Sequence, residues 1–246
     1  MLSKNQIKWV RSLELKKNRR EKGVFVAEGP KVVGDLLRAG YKAHTIFCIR
    51  EAEYATVDAR LVAVTSEELC KLSFLQHPQE VLAVFEIPNS LATACREPKA
   101  LCLALDGIQD PGNLGTIIRI ADWFGIDTIY CSEDTADVYN PKVVQATMGS
   151  LAHVSIVYCD LVELLSRATI PVYGTLLDGD DIYRQPLSPE GIIVMGNEGN
   201  GISQQVRPLV NHRLLIPNFH QGAKTAESLN VAIATAITCS EFHRRD

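Results

Sequence analysis

The sequence predicts an α/β protein whose larger, C-terminal part is a mostly parallel sheet covered by helices on both faces. Three observations carry that expectation. From Ala100 onward, short apolar runs of strand character alternate with stretches of helical spacing, the pattern of a parallel sheet buried on both sides. The N-terminal third repeats the alternation on a smaller scale. Between the two, Ile87 to Lys99 (IPNSLATACREPK) holds two prolines and little strand character. The expected organisation is a small α/β unit over residues 1–86, a linker over 87–99 and a sheet domain over 100–246.

In the first unit, Ser3 and Gln6 match a capping box, in which two orphan backbone donors are satisfied reciprocally. Ile7, Val10 and Leu13 then lay an apolar stripe along one side, with Lys and Arg around it. A helix is expected from there to Gly23, which ends it. Val24–Ala27 reads as a short strand, and Gly29-Pro30 turns the chain into a helix carrying Val33, Leu36 and Leu37, closed by Gly40. Thr45–Ile49, Leu61–Val64 and Val81–Phe85 are further strands, with a short helix over Ser66–Leu72. In the second unit the strands are Leu101–Leu105, Thr128–Cys131, Val154–Val157, Val172–Leu176, Ile192–Met195 and Leu214–Ile216. Parallel sheets bind ligands beyond the carboxyl ends of their strands, so the residues just after each strand are where chemistry is sought.

Composition narrows the class. Of 246 residues, 46% are hydrophobic and 22% charged, an ordinary globular balance. The seven cysteines are scattered, with no CxxC pair, and several sit in apolar runs such as Leu101-Cys102-Leu103. With no apolar signal core and no stretch approaching a membrane span, a soluble, cytoplasmic protein with reduced thiols is expected. The six histidines show no metal spacing, and no metal is expected. The acidic run Asp178–Asp181 reads as a solvated turn after a strand rather than a metal site, and Trp9 and Trp123 read as packing residues rather than base-stacking platforms. Net charge is −4, but residues 1–31 carry nine Lys or Arg against three acids. That is either an electrostatic footprint for phosphates, through Lys16, Lys17, Arg19, Arg20 and Lys22, or a solvated helix face.

Three segments stand directly after strands. In the first, Asp106 to Arg119 (DGIQDPGNLGTIIR), a glycine- and proline-rich turn opens a helix. Asn113 there can cap the helix or meet a ligand. Arg119 is surrounded in sequence by Ile117, Ile118, Ile120 and Ala121, and its guanidinium needs an anionic partner, either Asp122 or Asp106 or a ligand. In the second, Gly196 to Gly201 (GNEGNG), Glu198 places an anion in a glycine loop. That disfavours a phosphate cradle and suits hydroxyls, amines or positive charge. In the third, Ile216-Pro217 is followed by a loop, by Ser228 as a candidate N-cap, and by Leu229, Asn230 and a long apolar helix.

In this order the segments resemble the SpoU (TrmH) family of RNA ribose methyltransferases of the SPOUT superfamily. Asn113, Gly115 and Arg119 match its Asn-x-Gly-x-x-x-Arg pattern, Gly196, Glu198 and Gly199 its Gly-x-Glu-Gly, and Ile216, Pro217 and Ser228 to Val231 its Ile-Pro and Ser-Leu-Asn-Val. The ten residues Asn218 to Glu227 make the intervening loop longer than in many members. Phe25 to Gly29 and Pro78-Gln79 look like the ribosomal-protein-like domain that many members carry. The resemblance implies a trefoil knot in the C-terminal sheet, a homodimer and transfer of a methyl group from S-adenosylmethionine to a ribose 2′-hydroxyl. The RNA implied is ribosomal, or alternatively transfer RNA. Implied catalytic residues are Arg119, Asn113, Glu198, Ser228 and Asn230. Implied cofactor residues are Leu176, Gly196, Asn197, Gly199, Ile216, Pro217 and Leu229. A non-catalytic RNA-binding protein on the same fold would show damage at Asn113, Arg119 or Asn230, and there is none. A dehydrogenase would need a glycine fingerprint after an early strand and an acid about 20 residues on, which is missing. A base methyltransferase of the same superfamily is disfavoured by the Asn113/Arg119 pair.

Overall fold

The computed structural model describes residues 2–88, 98–220 and 226–244. The chain forms two compact units, one of Met1–Ser90 with Asp137–His153, the other of Leu91–Ala136 with Val154–Asp246. Most of the expected linker, and the centre of the long loop 218–227, lie outside the described residues.

The first unit opens on α1 (Lys4–Ser12), whose capping box is present in both directions: Gln6 donates its backbone N–H to Ser3 Oγ, and Ser3 donates its own to Gln6 Oε1. The expected single helix is in fact two, because α2 (Lys16–Lys22) starts afresh after an extended Leu15. The break has a physical cause distant in sequence. Arg19 is 1% exposed. Its Nη1 donates to the carbonyls of Leu13 (2.7 Å) and Glu14 (2.8 Å), groups a continuous helix would use itself. Its remaining nitrogens go to the Asp137 carboxylate. Arg19 is therefore not an RNA ligand, contrary to expectation, whereas Lys17, Arg20 and Lys22 are exposed and Lys16 half-buried. Gly23 ends α2 in the left-handed region, as expected.

Strands β1 (Val24–Glu28), β2 (Ala43–Cys48), β3 (Arg60–Ala63) and β4 (Val81–Glu86) form a sheet in the order β1-β4-β2-β3, with β2 and β3 parallel and the other pairs antiparallel. Helices α3 (Pro30–Arg38) and α4 (Ser66–Leu72) complete its local order. One core gathers Val10, Leu13, Val24, Val26, Phe47, Leu69 and Leu82. Phe25 faces the other way, stacking with Phe85 at 5.7 Å and packing on Tyr139 at 4.6 Å. Tyr139 belongs to Asp137–His153, which also contains α6 (Pro141–Ala146) and contacts β1. A segment expected in the second domain thus packs in the first unit.

The second unit is a six-stranded, wholly parallel sheet of β5 (Cys102–Asp106), β6 (Thr128–Cys131), β7 (Ser155–Tyr158), β8 (Val172–Asp181), β9 (Ile192–Gly196) and β10 (His212–Leu215). Its order is β10-β8-β9-β5-β6-β7. Helix α7 (Leu161–Ser166) packs Leu161, Leu164 and Leu165 on the face of Cys102, Ala104, Ile192 and Val194. Helices α5 (Pro111–Trp123) and α8 (Val231–His243) pack on each other, and α8 reaches β9. Burial pushes the thiols of Cys102 and Cys239 up to about 12, so they are packing groups rather than nucleophiles.

Two further expectations, one on β8 and one on α5, are corrected. Asp178–Asp181 is not a solvated turn: Asp180 and Asp181 pair with Leu214 and Leu215 after a register shift. Asp178 receives Arg207 and Arg213, the latter at 3.2 Å. Slight desolvation works to raise that carboxyl, but Arg207, with Arg213, outweighs it and holds it below the usual range. Trp9 packs as expected, against His44 at 5.4 Å. Trp123, by contrast, is 85% exposed. Among the described residues no helix is long and apolar enough to cross a membrane, and no three His, Cys, Asp or Glu side chains gather as a metal site would need.

Candidate functional site

The strand order reverses direction beside β5: β6 and β7 continue to one side of it, β9 and β8 to the other. Open parallel sheets bind ligands at such a switch point, beyond the carboxyl ends. The loops after β5 and β9 meet there. Asn197 donates its Nδ2 to the Gly107 carbonyl at 2.7 Å, which joins them directly.

The β9 loop is a tight hairpin. Asn197 and Gly201 exchange backbone hydrogen bonds at 3.0 and 2.9 Å. Asn197 Oδ1 accepts from the backbone N–H groups of Gly199 and Asn200 at 2.9 and 3.0 Å. A Cβ on Gly196 would lie 2.2 Å from the Gly201 carbonyl carbon, so only glycine allows the fold-back. The hairpin presents Glu198, which is exposed yet well partnered. Its Oε1 accepts from Asn113 Nδ2 at 3.0 Å, and the backbone N–H groups of Asp110 and Gln109 approach its two oxygens at 3.4 Å.

Asn113 does not cap α5. Asp110 does, accepting from the Asn113 N–H at 2.8 Å with Pro111 in the first turn, which leaves the Asn113 side chain free for other work. While its Nδ2 serves Glu198, its Oδ1 accepts from Asn230 Nδ2 at 2.9 Å. Asn230 is also the true N-cap of α8, its Oδ1 accepting from the N–H groups of Ala232 (3.0 Å) and Ile233 (3.3 Å). The sequence puts Ser228 in that role; it lies two residues earlier and is exposed. One chain of bonds, Glu198–Asn113–Asn230, therefore ties the three post-strand segments together. Asp110 and Gln109 belong to it and escape a reading of the sequence, although Asp-Pro before an apolar periodic run is a helix-start signal.

Arg119 lies on the same helix, six residues beyond Asn113. Its guanidinium is exposed and has no hydrogen bond or ion pair among the described residues. The structural bridge to Asp106 is not made: Asp106 Oδ2 accepts the Ser203 N–H at 2.7 Å instead.

Of the cofactor candidates, Leu176 is buried in the core with Cys102 and Val194, so only its backbone is available to a ligand. Ile216 and Pro217 are half-buried, Asn197 half-buried, Gly199 exposed and Leu229 50% exposed. Apolar side chains and bare glycine backbone, with no phosphate cradle among the described residues, suit S-adenosylmethionine, with its flat purine and cationic sulfonium, better than a dinucleotide.

Comparison with known proteins agrees with this geometry. Residues 100–240 match the sequence model of the SpoU rRNA Methylase family, and residues 4–83 that of the MRM3-like substrate binding domain. The chain is 31% identical over 243 residues to the Bacillus subtilis 23S rRNA (guanosine(2553)-2′-O)-methyltransferase RlmP, covering 96% of this chain and 95% of that protein. It superposes on a TrmH-family protein from Porphyromonas gingivalis with a TM-score of 0.88 at 43% identity, over 100% of both chains. The AdoMet-bound rRNA methyltransferase from Sinorhizobium meliloti gives a TM-score of 0.88 at 32% identity, over 100% of this chain and 96% of that one.

Proposed function

Since the chain belongs to the SpoU rRNA Methylase family, we propose that it transfers the methyl group of S-adenosylmethionine to a ribose 2′-hydroxyl of structured RNA, ribosomal RNA before transfer RNA. The observation that carries the reading is an exposed guanidinium without a protein partner among the described residues, on a helix whose start is locked into the post-strand loops by Asn113, Glu198 and Asn230.

S-adenosylmethionine supplies a methyl group on a good leaving group. Residues around Gly196, Asn197, Gly199, Ile216, Pro217, Leu229 and the Leu176 backbone would hold it. What the protein adds is alignment and a more nucleophilic ribose oxygen. Arginine stays protonated in almost any site, so Arg119 is assigned no proton abstraction. It grips a substrate phosphate bidentately and stabilises charge developing on the 2′-oxygen, and phosphate or water takes the proton. Asn113, Glu198 and Asn230 fix the helix from which Arg119 projects, and Ser228 contacts the nucleotide. Residues 1–86 grip the RNA, with Lys16, Lys17, Arg20 and Lys22 as phosphate contacts, and residues 100–246 carry the chemistry in a cytoplasmic setting.

A homodimer and trefoil threading belong to the same reading. Helix α8 is apolar nearly all round, and its Ile233 is 54% exposed. A helix of that composition is normally covered, and a second copy covers it.

Arg119→Lys retains the charge and loses the planar fork. Methylation, read as alkali-resistant linkages in ribosomal RNA, is expected to fall roughly a hundredfold or more with RNA affinity little changed. Full activity in Arg119→Ala would end the proposal.

A further inference from the structure

We infer that Ser132 is a positioning residue for methyl transfer, its hydroxyl holding the Gly107 backbone at the point where the loops after β5 and β9 meet. The inference rests on the ribose-methyltransferase reading. It brings a fourth segment, the turn after β6, into the site.

Gly107 is gripped from two sides. Its carbonyl accepts from Asn197 Nδ2 at 2.7 Å, and the carboxylate of the preceding Asp106 accepts the Ser203 N–H. Both partners belong to the chain after β9. From the other side, Ser132 Oγ accepts the Gly107 N–H at 2.9 Å. A Cβ on Gly107 would lie 3.1 Å from Asp134 Oδ2 and 3.8 Å from Asn197 Cβ, so the residue sits between the turn and the hairpin. Its φ is +73°, a region glycine enters and leaves easily. Two bonds counter that freedom: Ser132 holds the peptide before the α-carbon and Asn197 the one after it.

The hydroxyl is aimed. A serine has one proton to give and a rotor that turns to suit its partners. Thr135 Oγ1 gives its own proton to the Leu105 carbonyl at 3.1 Å. The Ser132 proton goes to Asp134 Oδ1 at 2.5 Å, a charge-assisted bond that leaves a lone pair toward Gly107. The turn is held without this hydroxyl. The Ser132 N–H donates to the Leu105 carbonyl at 3.0 Å, the Ala136 N–H to the Ile108 carbonyl at 2.8 Å, and the Thr135 N–H to the Ser132 carbonyl at 3.0 Å. What the hydroxyl adds is control of Gly107. Beyond Gly107 stand Gln109 and Asp110, whose N–H groups face Glu198, and then the start of α5. A slip at Gly107 moves the helix that carries Arg119 against the loop that would hold S-adenosylmethionine. A misplacement of about 1 Å can cost a hundredfold in rate when reacting groups must be aligned.

The test compares Ser132→Ala and Ser132→Thr with the parent on an unmodified 23S ribosomal RNA transcript. Ser132→Ala is expected to lower kcat roughly ten- to a hundredfold. KM for RNA and the Kd of S-adenosylmethionine should stay within about threefold, as for a group that acts on the transition state. The Tm should stay within about 4 °C. In the cofactor-free protein, deuterium uptake at the Gly107 amide should quicken at least about tenfold, with the amides of β5 and β9 unchanged. Ser132→Thr keeps the hydroxyl and should restore both kcat and the slow uptake. An active parent matched by an equally active Ser132→Ala overturns the inference and leaves the enzymatic reading intact. So does a kcat lost in step with Tm, which would make the hydroxyl a folding group. Lost kcat with unchanged uptake at Gly107 also overturns it, because Ser132 would then act elsewhere. A parent that methylates no RNA ends the enzymatic reading and the inference with it.

Discussion

Single side chains in this protein are understood only through what they touch. Arg19 and Arg20 are adjacent and chemically identical, yet one is sealed against Asp137 and two carbonyls while the other faces solvent. Glu28 is a similar case. It is 5% exposed and accepts hydrogen bonds from Ser73 Oγ and from the Phe74 N–H, the second at 2.8 Å. Burial pushes its carboxyl above the usual range, and the bonds from Ser73 and Phe74, with the charge of Arg11, only partly offset that. A folded value above the unfolded one means the native state holds the proton more tightly. The contribution of Glu28 to stability is then full below the ordinary carboxylate value and is lost as pH rises through the folded value. Glu28→Gln keeps the shape and removes the titration. Urea denaturation at pH 4 and pH 7 should show the variant gaining on the parent as pH rises; a difference independent of pH would contradict the shift.

At the scale of elements, glycines mark where two pieces of chain come too close for a side chain. Gly149 has φ +103°, and a Cβ there would lie 2.1 Å from Asp35 Oδ2. Asp35 cannot easily swing away, since Lys31 and Arg38 both hold it. Gly125, with φ +66° and nothing within 4 Å of its Cβ position, is the natural control. Gly125→Ala is expected to lose roughly 1–2 kcal/mol from backbone strain alone. Gly149→Ala should lose clearly more, about 3 kcal/mol, through the added clash. Equal losses in denaturant titrations would show that the turn at Met148–Gly149 is not tightly seated on α3. Element boundaries were largely readable beforehand: α4 and β6 fall where spacing and composition put them. The differences arise where a distant residue intervenes, as Asp137 does by holding Arg19 at the break between α1 and α2 and as β10 does in pairing with Asp180 and Asp181.

For the whole molecule, an acidic protein that binds RNA must concentrate its positive charge. The net charge is −4, yet Lys16, Lys17, Arg20 and Lys22 crowd one short helix. Replacing all four by alanine should weaken RNA binding most at low salt and flatten its dependence on salt. Each lost phosphate contact removes about 0.7 from the slope of log K against log salt on single strands, so a reduction of up to about 3 is expected. The affinity for S-adenosylmethionine should not move. An unchanged slope would mean that these side chains are a solvated helix face and nothing more.

The amino-acid order alone settled the alternation of strands and helices, the three post-strand segments and their family likeness. Those signals are local: a capping box, a glycine after a strand, an apolar run of the right length. Tertiary structure decided that Asn113 bridges Glu198 and Asn230 rather than capping its helix, that Arg19 is buried, that Asp178 is paired, and that Arg119 and Trp123 stand bare. Each of these depends on partners tens to more than a hundred residues away, or on the lack of any partner, and neither is written in the spacing of neighbouring residues.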